Sequence, residues 1–189
     1  MEDRREALID AGLQILREEG LAGFTQPKVA ARVGLRQGNL TYYFPTRVDL
    51  MAAVARVAVE RQLAAAAEMV RNATSADKAI AIIAGVVVRH ENTRVLVALN
   101  QAADQEPALR ELFNELTDGF VAQLELLLTN LGLGPSRDRV DMLHALFVGL
   151  SVIDLATSRR NGKARAKAAL ETAFGLLATD APSQLQGTP

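Results

Sequence analysis

The stretch from Thr25 to Arg47, TQPKVAARVGLRQGNLTYYFPTR, decides how this chain is read. Two short helical patterns lie in it, separated by a glycine. The first runs from Gln26 to Val33, with Val29, Ala30 and Val33 at one-turn spacing. Thr25 stands where a hydroxyl can cap an orphan N–H of the first turn, and Pro27 is tolerated there because first-turn N–H groups need no helical partner. Gly34 suits the left-handed residue that closes a helix. The second pattern runs from Gln37 to Tyr43 and stops before Pro45, which pushes its predecessor out of the α region. Helix, glycine turn, short helix is the pattern of a helix-turn-helix, whose second helix enters the DNA major groove. A solvated helical hairpin fits the same local pattern.

Charge favours the DNA reading. No Asp or Glu occurs from Gly20 to Val48, while Lys28, Arg32, Arg36 and Arg47 do. An acid-free basic window suits a surface that faces phosphates. The net charge of the 189 residues is −1, so affinity for nucleic acid has to come from such a local patch.

The rest of the chain is helical. Its apolar fraction is 49%, dominated by Ala and Leu, and only 4% is aromatic. Cysteine is absent, so there is no disulfide framework and no thiolate metal site. The charged N-terminus does not look like a signal peptide, and no uncharged apolar stretch reaches the roughly 18 residues of a membrane span. A cytoplasmic protein with no membrane partner and no cofactor is expected. With two His, no Cys and no HExxH motif, an enzyme is not.

About nine helices are predicted. The first covers Arg4 to Glu19 and ends at Gly20. After Pro45, Thr46 and Asp49 resemble a capping box, opening a helix from Val48 to Val70. Ser75 caps a helix to His90, apolar on most of its circumference and so central. A short segment follows from Thr93 to Asp104. Further helices span Glu106 to Leu131, Ser136 to Arg159 and Lys163 to Ala178, broken at Gly132–Pro135 and at Asn161–Gly162. The chain is divided into a helix-turn-helix domain, 1–47, a helical effector and dimerisation domain, 48–180, and a disordered tail, 181–189.

The last two helices carry broad apolar faces. Met142, Leu146, Gly149, Leu150 and Ile153 on one, with Leu170, Phe174 and Leu177 on the other, form the expected dimer interface. An ordinary core pair closing a monomeric bundle is the competing reading.

At residues 8 to 50 the chain resembles the TetR family of bacterial one-component transcription regulators. The resemblance is carried by Thr25-Gln26-Pro27-Lys28-Val29-Ala30, Val33-Gly34-Leu35, Gly38-Asn39-Leu40-Thr41-Tyr42-Tyr43-Phe44-Pro45, Arg47 and Leu50. It implies a three-helix DNA-binding domain and a larger helical domain that binds a small effector and dimerises through its last two helices. Matched by position, Gln37, Gly38, Asn39 and Thr41 face base edges. Gln and Asn can pair with adenine, and Thr can meet thymine. Tyr42, Tyr43 and Arg47 match phosphate contacts, as do Thr25 and Lys28. One ring, that of Tyr43, competes for a place beneath the helix. Pro27 replaces an arginine that reads a base in some members, which leaves Gln26 as a substitute reader. Arg36 reaches phosphate or guanine, or is solvated.

The implied function is a dimeric repressor released from a palindromic operator by a small-molecule effector. The alternative is a DNA binder governed by a partner protein, or by no effector. The preferred pocket pair is Asn100 and Gln101, with Arg94, Asp104 and His144 as further candidates, since buried polar groups must find partners. Few aromatics argue against a cage for cationic ligands.

Overall fold

A computed structural model describes residues 2–158 and 160–179. The expected disordered tail, 181–189, lies outside them. All described secondary structure is helical: α1 (Glu2–Gly23), α2 (Gln26–Arg32), α3 (Gln37–Tyr43), α4 (Arg47–Asn72), α5 (Ala76–Val87), α6 (His90–Gln105), α7 (Pro107–Asn130), α8 (Arg137–Thr157) and α9 (Gly162–Thr179). The chain forms two compact units, Met1–Ala65 with Arg89–Gly119, and Ala66–Val88 with Phe120–Pro189. The divisions fall within α4 and α7 and between α5 and α6.

In the first unit α1 lies against α6 and α2. Leu8, Ile15 and Leu16 of α1, Phe24, Val54 of α4 and Leu116 of α7 are all fully buried. Gly12 permits the close approach of α1 and α4. A Cβ there would lie 2.7 Å from Val54 Cγ2 and 3.1 Å from Phe24 Cε2. The regular helix ends at Gly20 as expected, where φ is 70° and ψ is −162°, and a second short helical stretch then runs to Gly23. Glycine supplies the positive φ, and the chain resumes one further helical turn.

In the second unit α5 packs on α9 and α8. Ile80, Ile83 and Val87 meet Leu127 and Leu128 of α7, Leu143 of α8 and Leu170 and Phe174 of α9 in one core. The expected central place of α5 holds. Ser75 and Ser136 cap α5 and α8, their hydroxyls accepting from the N–H of Lys78 and Arg139. The α7–α8 break is a left-handed glycine closure. Gly132 has φ 69°, and Leu133 N donates to Leu128 O at 3.0 Å.

The largest difference from the sequence reading lies at the α5–α6 junction. Helix α5 stops at Val87 rather than His90, and α6 is a full helix from His90 rather than a short segment. Only Val88 and Arg89 separate them, and neither is a helix breaker, so the turn leaves no glycine or proline signal. Helix α8 is long and apolar enough to cross a bilayer by length and composition. Its best window has a mean hydropathy of 1.6, and 22% of that window is buried.

Candidate nucleic-acid interface

The interface is built on two short helices that cannot bury a core alone. Val29 and Ala30 anchor α2, and Leu40, 0% exposed, is the one fully buried residue of α3. Phe44, also buried, follows with φ −136° and ψ 90°, ending α3 before Pro45. Between α2 and α3, Gly34 has φ 70°. Leu35 N donates to Ala30 O at 2.9 Å and Gly34 N to Ala31 O at 3.1 Å. This closure satisfies the last carbonyls of α2 and reverses the chain.

Thr25 does not cap α2 with its hydroxyl. Its backbone is extended at the cap position, its carbonyl accepts from Val29 N at 3.0 Å, and its side chain makes no cap bond. Thr25 is exposed. Gln26 has a structural partner instead of a free amide. Its Nε2 donates to Phe44 O at 3.0 Å, tying the start of α2 to the end of α3. The capping box at α4 is present, with Asp49 Oδ2 accepting from Thr46 N at 2.9 Å and Thr46 Oγ1 accepting from Asp49 N at 3.1 Å.

Gln37, Gly38 and Asn39 are exposed along the first turn of α3. Arg36 is exposed just before them, in extended backbone. Thr41 is half-buried, and its Oγ1 donates back to Gly38 O at 2.9 Å. Tyr42 is 75% exposed, whereas Tyr43 is half-buried, so the second ring does lie partly against the helix. Their rings meet edge to face, with centroids 5.2 Å apart. The guanidinium of Arg5 lies over the Phe44 ring, 5.4 Å from its centroid. Arg47 is exposed, and its Nε donates to Phe24 O at 3.2 Å. That bond anchors the guanidinium through its Nε in an otherwise exposed side chain.

The acid-free window is not acid-free in space. Glu19 of α1 pairs with Lys28, and Glu18 pairs with Arg32 at 2.7 Å. The guanidinium of Arg32 holds the exposed Glu18 carboxyl below its ordinary range. Local helical spacing does not reveal that the end of α1 runs beside α2, so these acids were invisible to sequence reasoning.

The effector candidates are dispersed. Asn100, Gln101 and Asp104 are exposed on α6. Arg94 is half-buried, and its Nη1 donates to Arg17 O at 3.2 Å. These four lie in the first unit and His144 in the second. His144 is half-buried, with its ring centroid 6.4 Å from that of Phe120, which in turn lies 6.5 Å from the Phe147 ring. Burial lowers the His144 pKa, against a smaller upward pull from Asp141. Gln123 Oε1 of the same unit is buried without a hydrogen-bond partner, as is Gln62 Nε2 of the first unit. The Phe120–His144–Phe147 cluster was missed because each aromatic reads as core at helical spacing.

The dimer candidates divide. Met142 and Ile153 of α8 are exposed, with Val152 beside them, and Gly149 is partly exposed. Leu146 and Leu150 are partly buried against the chain's own core. Leu170, Phe174 and Leu177 of α9, expected at the dimer interface, are no more than 4% exposed and pack within the chain's own core. The helix period then turns Ala168, Thr172, Gly175 and Leu176 outward, and Leu176 is 60% exposed.

Two family models match. One, described as bacterial regulatory proteins, tetR family, covers residues 8–54, and the other, described as tetracyclin repressor-like, C-terminal domain, covers 72–177. The HTH-type transcriptional regulator CymR of Pseudomonas putida is 30% identical over 107 residues, 55% of this chain and 53% of that protein. The chain therefore spans about half the length of this curated relative. A transcriptional regulator from Rhodococcus sp. Rha1 has the same fold with a TM-score of 0.76 at 21% identity, covering 98% of this chain and 99% of that one. A TetR family member from Streptomyces coelicolor A3 is 26% identical with a TM-score of 0.68, over 90% of this chain and 97% of that one. The multidrug binding protein EbrR, solved with proflavin, is 26% identical with a TM-score of 0.64, over 90% of this chain and 99% of that one.

Proposed function

Because the chain belongs to the tetR family of bacterial regulatory proteins and is thereby a DNA-binding transcriptional regulator, we propose that it acts as a dimeric repressor, released from a palindromic operator by a small-molecule effector in the cytoplasm. One observation carries this reading. Helix α3 is anchored by Leu40 alone and turns Gln37, Gly38, Asn39 and Tyr42 outward. A seven-residue helix so presented fits a major groove and contacts too few bases by itself. Two copies, about 34 Å apart, supply the missing contacts.

In this reading residues 1–47 touch DNA. Gln37, Asn39 and Thr41 read bases, with Tyr42, Tyr43, Thr25 and Arg47 on phosphates. Residues 48–180 bind the effector and form the dimer. The exposed apolar side chains of Met142, Val152 and Ile153 on α8 and Leu176 on α9 support an isologous four-helix contact. For the effector, the rings of Phe120 and Phe147, His144 with its pKa lowered by burial, and the unpartnered Gln123 Oε1 favour an uncharged aromatic molecule carrying one donor. Proflavin on EbrR is an aromatic precedent in a relative.

Selection of bound sites from random DNA tests the reading. A two-fold symmetric consensus is expected, with release on adding an effector found by thermal shift. An asymmetric, single half-site consensus rejects the dimeric mechanism. DNA release unaffected by every thermally stabilising ligand rejects effector control.

A further inference from the structure

We propose that Glu18 and Glu19 are an internal competitor for operator phosphates, holding Arg32 and Lys28 of α2 in the free protein and releasing them when DNA binds. The proposal rests on the reading of α2 and α3 as the DNA interface. Lys28 and Arg32 are one helical turn apart, so they form a single cationic edge of α2. The two acids stand together at the end of the regular part of α1, just before the break at Gly20. Each takes one cation: Glu19 takes Lys28, and Glu18 takes Arg32 at 2.7 Å.

The local backbone is shaped for this contact. The positive φ of Gly20 bends the chain so that Gly23 comes back beside Glu19. A Cβ on Gly23 would lie 2.6 Å from Glu19 Oε2 and 2.5 Å from Glu19 Cβ, so only glycine leaves the Glu19 side chain its place. On the other side, Arg94 of α6 donates to Arg17 O at 3.2 Å, which ties the same turn to α6. The backbone that carries the two acids is thus shaped by the Gly20 break and tied to α6 by the Arg94 bond.

All four side chains are partly exposed, between 32% and 54%, so phosphate can reach the cations. Exposed pairs are weak, and DNA can break them. The salt dependence records the exchange. Each phosphate neutralised by a cation releases a counterion from DNA. A carboxylate that loses its partner takes up a counterion from solution and cancels part of that release. The wild-type slope is therefore shallower than its phosphate contacts alone would produce.

The test is a cycle of operator titrations against salt, using a site selected by the wild-type protein. Glu18→Gln with Glu19→Gln is expected to bind about three- to tenfold more tightly at about 0.1 M salt, with a slope steeper by about one to two. Each single change should give part of the effect. In a Lys28→Ala, Arg32→Ala background the same two Gln substitutions should change nothing, because no cation remains to be released. An equal gain in both backgrounds overturns the proposal, since it reports only the general field of two carboxylates. Unchanged or weaker binding of the Gln variant also overturns it, and weaker binding makes the acids positioning residues. Wild-type protein that selects no DNA site overturns the interface reading itself, a failure separate from the others.

Discussion

Gln26 Nε2 donates to the carbonyl of Phe44 across eighteen residues of sequence, at 3.0 Å. The bond joins the first residue of α2 to the residue that ends α3. It adds a side-chain tie to the Gly34 turn that already joins the two short helices. A residue that sequence offers as a base reader thus also ties the start of α2 to the end of α3. Gln26→Ala leaves a partly buried carbonyl without its donor, a loss of about 1–2 kcal/mol. Urea unfolding should show that loss, and DNA affinity should fall without a change in preferred sequence. A Gln26→Ala protein of native stability with altered base preference would return Gln26 to the readers.

Arg47 is held by the same logic at the other end of the motif, through its Nε and Phe24 O at 3.2 Å. Arg47→Ala should weaken operator binding to a similar degree across sequences and lower the salt slope by about one. Tyr42→Phe should also weaken binding without regard to sequence, with little change in slope, because the lost hydroxyl is neutral. Asn39→Ala should instead relax the preference at one base pair, worth about 1–3 kcal/mol. Competition binding against a panel of single-base operator variants separates the two behaviours. An unchanged slope in Arg47→Ala removes that residue from the phosphate contacts.

On α8 and α9, surface and core substitutions should part company. Ile153→Glu, at a side chain 49% exposed, should leave the fold intact and shift the protein from dimer to monomer in gel filtration. Leu170→Ala, at a side chain 1% exposed, should cost about 2–5 kcal/mol of stability and leave the association surface in place. A dimer that survives both Ile153→Glu and Met142→Glu would place the interface elsewhere.

His144 predicts a pH dependence of stability. Burial lowers its pKa from the ordinary value of 6.5, with Asp141 opposing. The unfolded chain then takes up the proton at higher pH than the folded one. Its contribution is fully present above the unfolded pKa and is lost as pH falls through the folded pKa. Melting temperature should drop between pH 7.5 and pH 5.5, and His144→Gln should flatten part of that drop. An identical pH profile in the variant would show that His144 takes no part.

Several features were legible because they depend on neighbours in sequence. Gly34 and Pro45 bracket α3, Ser75 and Ser136 cap their helices, and Thr46 with Asp49 forms its box, as the residue types require. The turn between α5 and α6 escaped because Val88 and Arg89 carry no breaker. The Thr25 cap failed because hydroxyl capping is a competition with solvent, which composition does not decide.

Sequence alone determined that the described residues are helical and that residues 25–47 hold two short helices around a glycine turn, while the outward residues of α3 came from the family resemblance. Helical period and turn chemistry act within a few residues, so one strand of text contains them. Tertiary structure decided which partners those side chains meet. It gave Gln26 to Phe44, Lys28 to Glu19 and Arg32 to Glu18, and it turned Leu170 and Phe174 inward, leaving Leu176 outside. Burial and ion pairing depend on which helices lie side by side, and that is set by the packing of the whole unit rather than by local spacing.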